Sequence, residues 1–190
     1  MRNQRRCCEL AKTTRPKPLR VLGLDLSLSP GIAAIEVRNR QPYLVACSSV
    51  ATSTDDPDAV RNYIVESFVS AFVREYRPFD HVVREDFTSG RNKRATQTIF
   101  SSWAAADRAL YSYGYQAADL KPALAPTSVK RLVTGNGKAE KAEVAAAVRR
   151  LLRLGEDYVF RTGYDDSDAC AVALAYLIRE GLIDTEEVAA

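Results

Sequence analysis

Histidine is scarce in this chain of 190 residues, and its cysteines are not arranged in metal-binding pairs. There is one histidine, His81, and none of the four cysteines belongs to a C-x-x-C motif. A multi-histidine metal site is therefore excluded, and Ser-His-Asp catalysis is disfavoured. Cysteines in this pattern are typical of a reducing compartment, so we expect a cytoplasmic protein. A metal ion would need oxygen ligands, which favours Mg²⁺ or Mn²⁺.

Long apolar runs are also missing. No stretch approaches the roughly 20 residues that a membrane-spanning helix needs, and the basic N-terminal segment lacks the apolar core of a secretory signal. We therefore expect a soluble protein without a membrane partner. The length fits one domain over residues 20–182. A flexible basic arm over residues 1–19 would precede it, and an acidic tail over residues 183–190 would follow.

Positive charge is concentrated at the N terminus. Residues 1–20 contain seven arginines and lysines and one acid, so the formal net charge of +3 leaves the rest of the chain net negative. The basic residues of the body still form clusters, which are either a positive face for nucleic acid or an ordinary solvated surface. These clusters are Arg91, Lys93 and Arg94; Lys121, Lys130, Arg131, Lys138 and Lys141; and Arg149, Arg150 and Arg153.

Apolar periodicity predicts alternating strands and helices. The predicted strands cover residues 20–26, 32–37, 43–49, 80–87 and 115–120. The predicted helices run from about residue 58 to the residue before Pro78, and then over 93–113, 126–133, 139–154 and 165–179. This order indicates an α/β protein with a mixed five-stranded sheet and helices on both faces.

Four carboxylates stand at the ends of these predicted elements. Asp25 ends the first strand and Glu85 the fourth, so both would emerge at one edge if the strands were neighbours. Asp165 and Asp168 open the last helix and share one of its faces. Asp165 could instead be a helix cap, and Asp25 could bond its own turn. Asp168 leads into an apolar face, where an unpaired acid would be costly.

Converging carboxylates repel one another unless divalent cations neutralise them. This requirement matches two-metal phosphoryl chemistry, in which one ion orients the attacking water and the other stabilises the leaving oxygen. The glycine loop at residues 134–137 lacks the P-loop signature, so nucleotide binding of that type is not expected.

Four stretches, in register, resemble the RuvC-type Holliday junction resolvases. They are residues 21–33, 82–87, 129–141 and 165–173. The resemblance implies an RNase H-like fold and a homodimer acting in DNA recombination and repair. Such a dimer nicks two opposing strands of a four-way DNA junction symmetrically, using two Mg²⁺ or Mn²⁺ ions in each active site.

The same resemblance assigns roles to single residues. By position, the catalytic metal ligands would be Asp25, Glu85, Asp165 and Asp168. Lys130 and Lys141 match lysines that the family places against the scissile phosphate. Together with the basic clusters, the resemblance indicates DNA contacts from Lys130, Lys138, Lys141, Gly135, Gly137, Arg91, Lys93, Arg94 and Phe87. Gly135 and Gly137 would offer backbone N–H groups at a helix start. Phe87 lies one residue before the family's aromatic wedge position, so it is either a wedge or a core residue.

Two alternative functions use the same residues differently. An RNase H-like nuclease that cuts RNA or other branched DNA would need the same acids. A non-catalytic junction-binding protein would not need them, and all four are present. An actin- or hexokinase-like ATPase needs two such domains, and this chain has room for one. The helix over residues 93–113 carries a stripe that could face a dimer partner or its own sheet: Ala95, Ile99, Trp103, Ala106 and Leu110.

Overall fold

The computed structural model describes residues 17–86, 93–116 and 119–185. The strands in these ranges are β1 (Leu19–Asp25), β2 (Gly31–Arg38), β3 (Gln41–Ser49) and β4 (His81–Arg84). The helices are α1 (Asp58–Tyr76), α2 (Lys93–Ser112), α3 (Pro126–Thr134), α4 (Lys141–Leu151) and α5 (Asp165–Arg179). The α/β class is confirmed, and the observed bounds differ from the predicted ones by a few residues.

The sheet has the order β3-β2-β1-β4. The first three strands form an antiparallel meander, and β4 pairs parallel to β1 with Leu24 opposite Arg84. Parallel strands end at the same edge of a sheet. The C-terminal end of β1, with Asp25, therefore lies beside the end of β4, where Glu85 follows. The mixed sheet is confirmed.

The predicted fifth strand was wrong: the described residues form a four-stranded sheet. Two isolated parallel bridges stand in its place, joining Val82 to Leu120 and Glu85 to Leu124. Val82 and Glu85 are three residues apart, whereas Leu120 and Leu124 are four apart, so one extra residue interrupts the ladder. Pro122 lies in that interval, and its fixed φ and missing N–H group prevent a continuous strand.

Helices cover both faces of the sheet, as predicted. Alternate side chains of β1 point to opposite faces: Leu22 and Leu24 pack with α1 and α2, whereas Val21 packs with α3, α4 and α5. The same alternation puts Gly23 and Asp25 on the α5 face. Eleven of the fifteen residues of α5 are buried, which makes it the central packing helix. Among the described helices, none has the length and apolarity that crossing a bilayer requires.

The apolar stripe predicted on α2 is divided between core and surface. Ala106 and Leu110 are buried beside α1, whereas Ile99 and Trp103 remain partly exposed. Of the small residues beside the stripe, Ser102 and Ala105 are buried and Ala104 is exposed. Two of the five residues of the predicted dimer stripe are therefore core within one chain.

Candidate active site

Two glycines allow α5 to lie directly on the sheet. A Cβ on Gly23 would fall within 3.0 Å of the backbone carbonyl oxygen of Ala169, and a Cβ on Gly31 would collide with that of Asp165. Real Cβ atoms do not approach so closely. The first turns of α5 are therefore held against the ends of β1 and β2, which is where Asp25 is.

This packing gathers the predicted acids. Asp25, Asp165 and Asp168 each offer a carboxylate oxygen, and these three oxygens all lie within 4.8 Å of one another. Glu85 adjoins the cluster, because its backbone N–H donates to the carbonyl oxygen of Leu24 at 3.0 Å. Glu85 and Asp25 also line one cavity of about 140 Å³. The structure thus brings together all four acids named from the sequence.

The cluster is electrostatically unfavourable without a cation. Burial raises the pKa of Asp25 well above its usual value, and the charges of Glu85, Asp168 and Asp165 raise it further. Burial and the charge of Asp168 raise the pKa of Glu85 to about 7. Burial also raises the pKa of Asp168, against the opposing effect of Lys141. The ligand atoms are carboxylate oxygens, and their negative charges repel one another. The residues therefore fit a hard divalent cation, which prefers oxygen ligands and would neutralise this charge.

Lys141 partly neutralises this charge. Its ammonium group donates to Asp165 Oδ1 at 3.0 Å and to the carbonyl oxygen of Gly163 at 2.9 Å, and it lies 3.0 Å from Asp168 Oδ2. Burial opposes the charge on this lysine, but the hydrogen bonds to Asp168 and Asp165 prevail and raise the pKa of Lys141. A cation bound by Asp165 and Asp168 would therefore compete with Lys141 for the same oxygens.

Lys130 is fixed near Glu85 by the loop that follows α3. Its ammonium group donates to the carbonyl oxygen of Ala139 at 2.7 Å, and its charge lowers the pKa of Glu85 against burial. The two lysines that the resemblance names thus both lie beside the acid cluster, Lys141 against Asp165 and Lys130 near Glu85.

The glycine loop differs from its predicted arrangement. Gly135 ends α3 with a left-handed φ of 82°, and its N–H group bonds the carbonyl oxygen of Arg131. The next helix, α4, opens at Lys141, where Glu140 and Glu143 form a capping box. Gly135 therefore stands at the end of α3 and not at a helix start, and its N–H group is already bonded within the chain. Lys138 is exposed and Gly137 is partly buried in this loop, and their contact with DNA stays a prediction.

The remaining predicted DNA contacts lie around the start of α2. Phe87 and Arg91 lie outside the described residues. Lys93 is exposed, and Arg94 is paired with Asp58 of α1 through two hydrogen bonds of 2.7 and 2.8 Å. Arg94 would have to leave that carboxylate before it could bind a phosphate.

The apolar wall beside the acids was not predicted from the sequence. Ile99 and Trp103 of α2 line the cavity that contains Asp25 and Glu85. The guanidinium carbon of Arg84 lies 4.2 Å from the centroid of the Trp103 ring and so fixes its place. An arginine directly before the strand-end glutamate was the available signal, but its aromatic partner is distant in sequence.

A mixed sheet covered by helices on both faces, with carboxylates gathered at one edge, defines a nuclease of the RNase H-like class. The model of the family described as crossover junction endodeoxyribonuclease RuvC matches residues 21–176. The chain belongs to this family.

Individual relatives agree with the family match. The crossover junction endodeoxyribonuclease RuvC of Salinispora arenicola is 35% identical over 165 residues, which cover 86% of this chain and 90% of the relative. The structure of Thermus thermophilus RuvC in complex with Holliday junction substrate has a TM-score of 0.71 and 26% identity, covering 85% of this chain and 94% of that one. The yeast mitochondrial resolvase Ydc2, at a TM-score of 0.58 and 13% identity over 86% of this chain and 80% of its own, shares the fold.

Replacing Gly31 by alanine tests whether the close approach of α5 shapes the site. The added methyl group would displace the backbone of Asp165, so we expect a loss of about 1–3 kcal/mol in unfolding free energy, as in other overpacked cores. We also expect weaker metal-dependent cleavage. Denaturant unfolding and a cleavage assay measure the two effects.

Gly181→Ala is the matched control for this substitution. Gly181 has a left-handed φ of 62° and open space around its Cβ position, so alanine there adds backbone strain without moving the acids. The control should lose stability and keep its activity per folded molecule. Equal activity losses in the two variants would contradict the role of Gly31.

Proposed function

We propose that this chain resolves four-way DNA junctions by metal-dependent hydrolysis of one phosphodiester bond in each of two opposing strands. The observation that carries the proposal is the set of three carboxylates with oxygens within 4.8 Å of one another, with Glu85 adjoining at the end of a parallel strand. Family membership supports the substrate, because the matched Thermus thermophilus RuvC was solved with a Holliday junction.

Asp25, Glu85, Asp165 and Asp168 would hold two Mg²⁺ or Mn²⁺ ions in this proposal. Such ions, when bound, polarise the scissile phosphate and activate the attacking water. The chain's contribution is to hold four carboxylates at one point despite their repulsion, through the packing of α5 on β1 and β2. Burial, and after it the charges of the neighbouring acids, raises the pKa values of Asp25, Glu85 and Asp168, which supports a cation as the partner that neutralises them.

The two lysines would act on the DNA side of the site. Once a cation takes the oxygens of Asp165 and Asp168, the ammonium group of Lys141 is free to bind a phosphate oxygen. Lys130 is anchored by the carbonyl oxygen of Ala139 and would add a second positive charge near the scissile bond. The charge of Lys130 is held in place before DNA arrives, and fixed charge of this kind costs little reorganisation during the reaction.

A comparison of substrates tests the proposal and separates it from its alternatives. Four-way junctions, Y-shaped DNA, linear duplexes and RNA–DNA hybrids would be incubated with the protein and Mg²⁺ or Mn²⁺. We expect cleavage of the four-way junction at the lowest protein concentration. Equal cleavage of all substrates would indicate a general RNase H-like nuclease. Junction binding without cleavage in either metal would indicate a non-catalytic binder.

We further propose that the protein acts as a homodimer in the cytoplasm of a bacterial cell. The exposed aromatic residues of α2, Phe100 and Tyr111, support a partner on that face, at 51% and 71% exposure. Tyr111 also lines a cavity of about 830 Å³ with Leu110 and Tyr115. The free thiols of Cys47 and Cys170 fit a reducing compartment.

The basic arm is proposed to add DNA affinity without affecting catalysis. Deleting residues 1–16 removes five of the seven basic residues of the N-terminal segment and spares Lys17, which bonds Asp80 at 3.2 Å. We expect weaker junction binding and an unchanged cleavage pattern. Each lost phosphate contact should reduce the slope of log K against log salt by about 0.9 for duplex DNA. Binding measured across a salt series checks this, and an identical slope would mean that the arm does not contact DNA.

A further inference from the structure

We propose that Asp166 is a positioning residue that holds the start of α5 in the geometry that a cation at Asp165 and Asp168 requires. This inference rests on the proposed function, because it takes those two carboxylates to be cation ligands. Asp166 stands between them in sequence but is only 4% exposed, less than either neighbouring acid. A buried carboxylate is retained at low cost only where its oxygens are bonded.

One oxygen of Asp166 substitutes for the missing helix cap. The residue before α5, Tyr164, has a left-handed φ of 65°, and its side chain makes no capping hydrogen bond. Asp166 Oδ1 instead accepts the backbone N–H of Ser167 at 2.9 Å. The first N–H groups of a helix need such an acceptor, and a carboxylate there also interacts favourably with the helix dipole. Asp166 therefore stabilises the turn that carries both proposed ligands.

The other oxygen of Asp166 fastens the connection that leads into α5. Oδ2 accepts the backbone N–H of Arg161 at 3.1 Å. The guanidinium group of Arg161 in turn donates to the carbonyl oxygen of Ser49, the last residue of β3, at 2.7 Å. Asp166 thus joins the start of α5 to the preceding connection and to the edge of the sheet. Its removal would leave two N–H groups without their acceptor, one buried at Ser167 and one partly buried at Arg161.

Asp166 does not share the surroundings of the proposed ligands. Among the described residues, the group with oxygens within 4.8 Å of one another is formed by Asp25, Asp165 and Asp168. Asp166 lies instead close enough to Cys47, Tyr158 and Cys170 for its charge to act on their ionisation. It therefore supports the ligands from behind and is not one of them.

The expected effect of losing Asp166 is weaker cation binding. Groups that orient metal ligands commonly contribute 10- to 100-fold to affinity, so we expect Asp166→Ala to raise the dissociation constant for Mn²⁺ by about 10-fold or more. Asp166→Asn keeps one carbonyl oxygen as an acceptor, so its dissociation constant for Mn²⁺ should lie between those of Asp166→Ala and the unmodified protein. Both variants lose the same negative charge, so the difference between them reports position and not charge.

Calorimetric titration of the full chain with Mn²⁺, in the absence of DNA, tests the inference. The variants would be compared at a temperature where circular dichroism shows all of them folded, with Val69→Ala as a control. Val69 is buried in α1 on the opposite face of the sheet, so its truncation loosens the fold without touching α5. We expect the control to bind Mn²⁺ with the affinity of the unmodified protein. Among the others, Mn²⁺ affinity should be lowest in Asp166→Ala, intermediate in Asp166→Asn and highest in the unmodified protein.

Three results would overturn the positioning role: unchanged Mn²⁺ affinity in Asp166→Ala, equal losses in Asp166→Ala and Asp166→Asn, or an equal loss in Val69→Ala. If Asp166→Ala does not fold, Asp166→Asn decides alone, and its unchanged affinity would overturn the inference. Failure of the unmodified protein to bind Mn²⁺ is a separate outcome, which would remove the proposed metal site itself.

Discussion

Asp25→Asn, Glu85→Gln and Asp168→Asn are each expected to abolish cleavage of a four-way junction while leaving junction binding intact. Each substitution removes the negative charge of a proposed cation ligand and preserves its shape. Removing a group that only supports a metal ligand lowers activity by about 10- to 100-fold. A larger loss of cleavage activity therefore identifies the substituted residue as a ligand. Cleavage in Mg²⁺ and gel-shift binding in Ca²⁺ measure the two properties.

A stability measurement shows that such a loss is not caused by misfolding. Because the pKa of Glu85 is raised to about 7 in the folded protein from an ordinary value of 4.5, the folded state binds this proton more tightly than the unfolded state. Ionised Glu85 therefore destabilises the fold as pH rises. In EDTA, Glu85→Gln should match the unmodified protein at pH 4, gain a growing advantage between about pH 4.5 and pH 7, and keep it above pH 7. Asp25→Asn should likewise become more stable than the unmodified protein as pH rises.

An inactive variant that is less stable than the unmodified protein at neutral pH in EDTA would contradict this explanation. In saturating Mg²⁺ the unmodified protein should be more stable than the variants, the reverse of the order in EDTA. The unmodified protein gains stability from the bound ion, whereas each variant has lost a ligand for it. Full nicking by Asp25→Asn would contradict the assignment of the acids altogether.

Tyr111→Asp is expected to convert a dimer into a monomer and to abolish paired nicking. One acid cluster can cut one strand, whereas resolution needs two cuts related by symmetry, and a two-fold dimer supplies two such clusters. Tyr111 is 71% exposed on α2 and lines the large cavity there, so a carboxylate at that place would be buried without a partner in a dimer. Light scattering should give about twice the chain mass of 21.0 kDa for the unmodified protein and a single chain mass for the variant.

Val159→Asp is the control for the dimer prediction. Val159 is 83% exposed in the connection between α4 and α5, so the same change from an apolar to an acidic side chain there should leave a dimer. Its nicks should stay paired, whereas Tyr111→Asp should release singly nicked junctions. An unmodified protein that is a strict monomer and cuts opposing strands independently would leave the nuclease but remove the resolvase.

The acid cluster was predictable because each of its residues stands at a recognisable boundary. Asp25 ends an apolar strand and Asp168 opens an apolar helix. That Asp25 and Glu85 meet depended on the first and fourth strands being neighbours, and the parallel pairing of β1 with β4 meets that condition. The tightness of the cluster was not predictable from those boundaries alone. The tightness depends on Gly23 and Gly31, because both allow α5 to approach the sheet closely. Nothing in the sequence around either glycine indicates this role, which arises only when α5 crosses both strands.

The wrong predictions have local physical causes. Among the described residues, the strand predicted over residues 115–120 pairs with the sheet only at its last residue, Leu120, and Pro122 just beyond it cannot continue the ladder. The glycine loop looked like a helix start because Gly135 and Gly137 lie near one, but Glu140 caps that helix and Gly135 ends the helix before it. Periodicity on α2 could not separate core from interface, because Ala106 and Leu110 satisfy the same spacing as Ile99 and Trp103.

Asp166 shows what a residue-by-residue interpretation cannot detect. In sequence it is one of three acids in the first turn of α5, and any of them suits the helix dipole. Only the folded chain separates it, by burying it and bonding it to the backbone of Ser167 and Arg161. That separation distinguishes a supporting carboxylate from the two carboxylates proposed to bind the cation.

The most direct test of the central claim is cleavage of a mobile four-way junction, labelled on each strand in turn, by the unmodified protein with and without Mg²⁺. Resolution by the acid cluster predicts paired nicks at symmetry-related positions on two opposing strands. It also predicts nicked linear duplexes as products and no cleavage in EDTA. A junction that is bound but left intact in both Mg²⁺ and Mn²⁺, or that is cut equally well in EDTA, would contradict it.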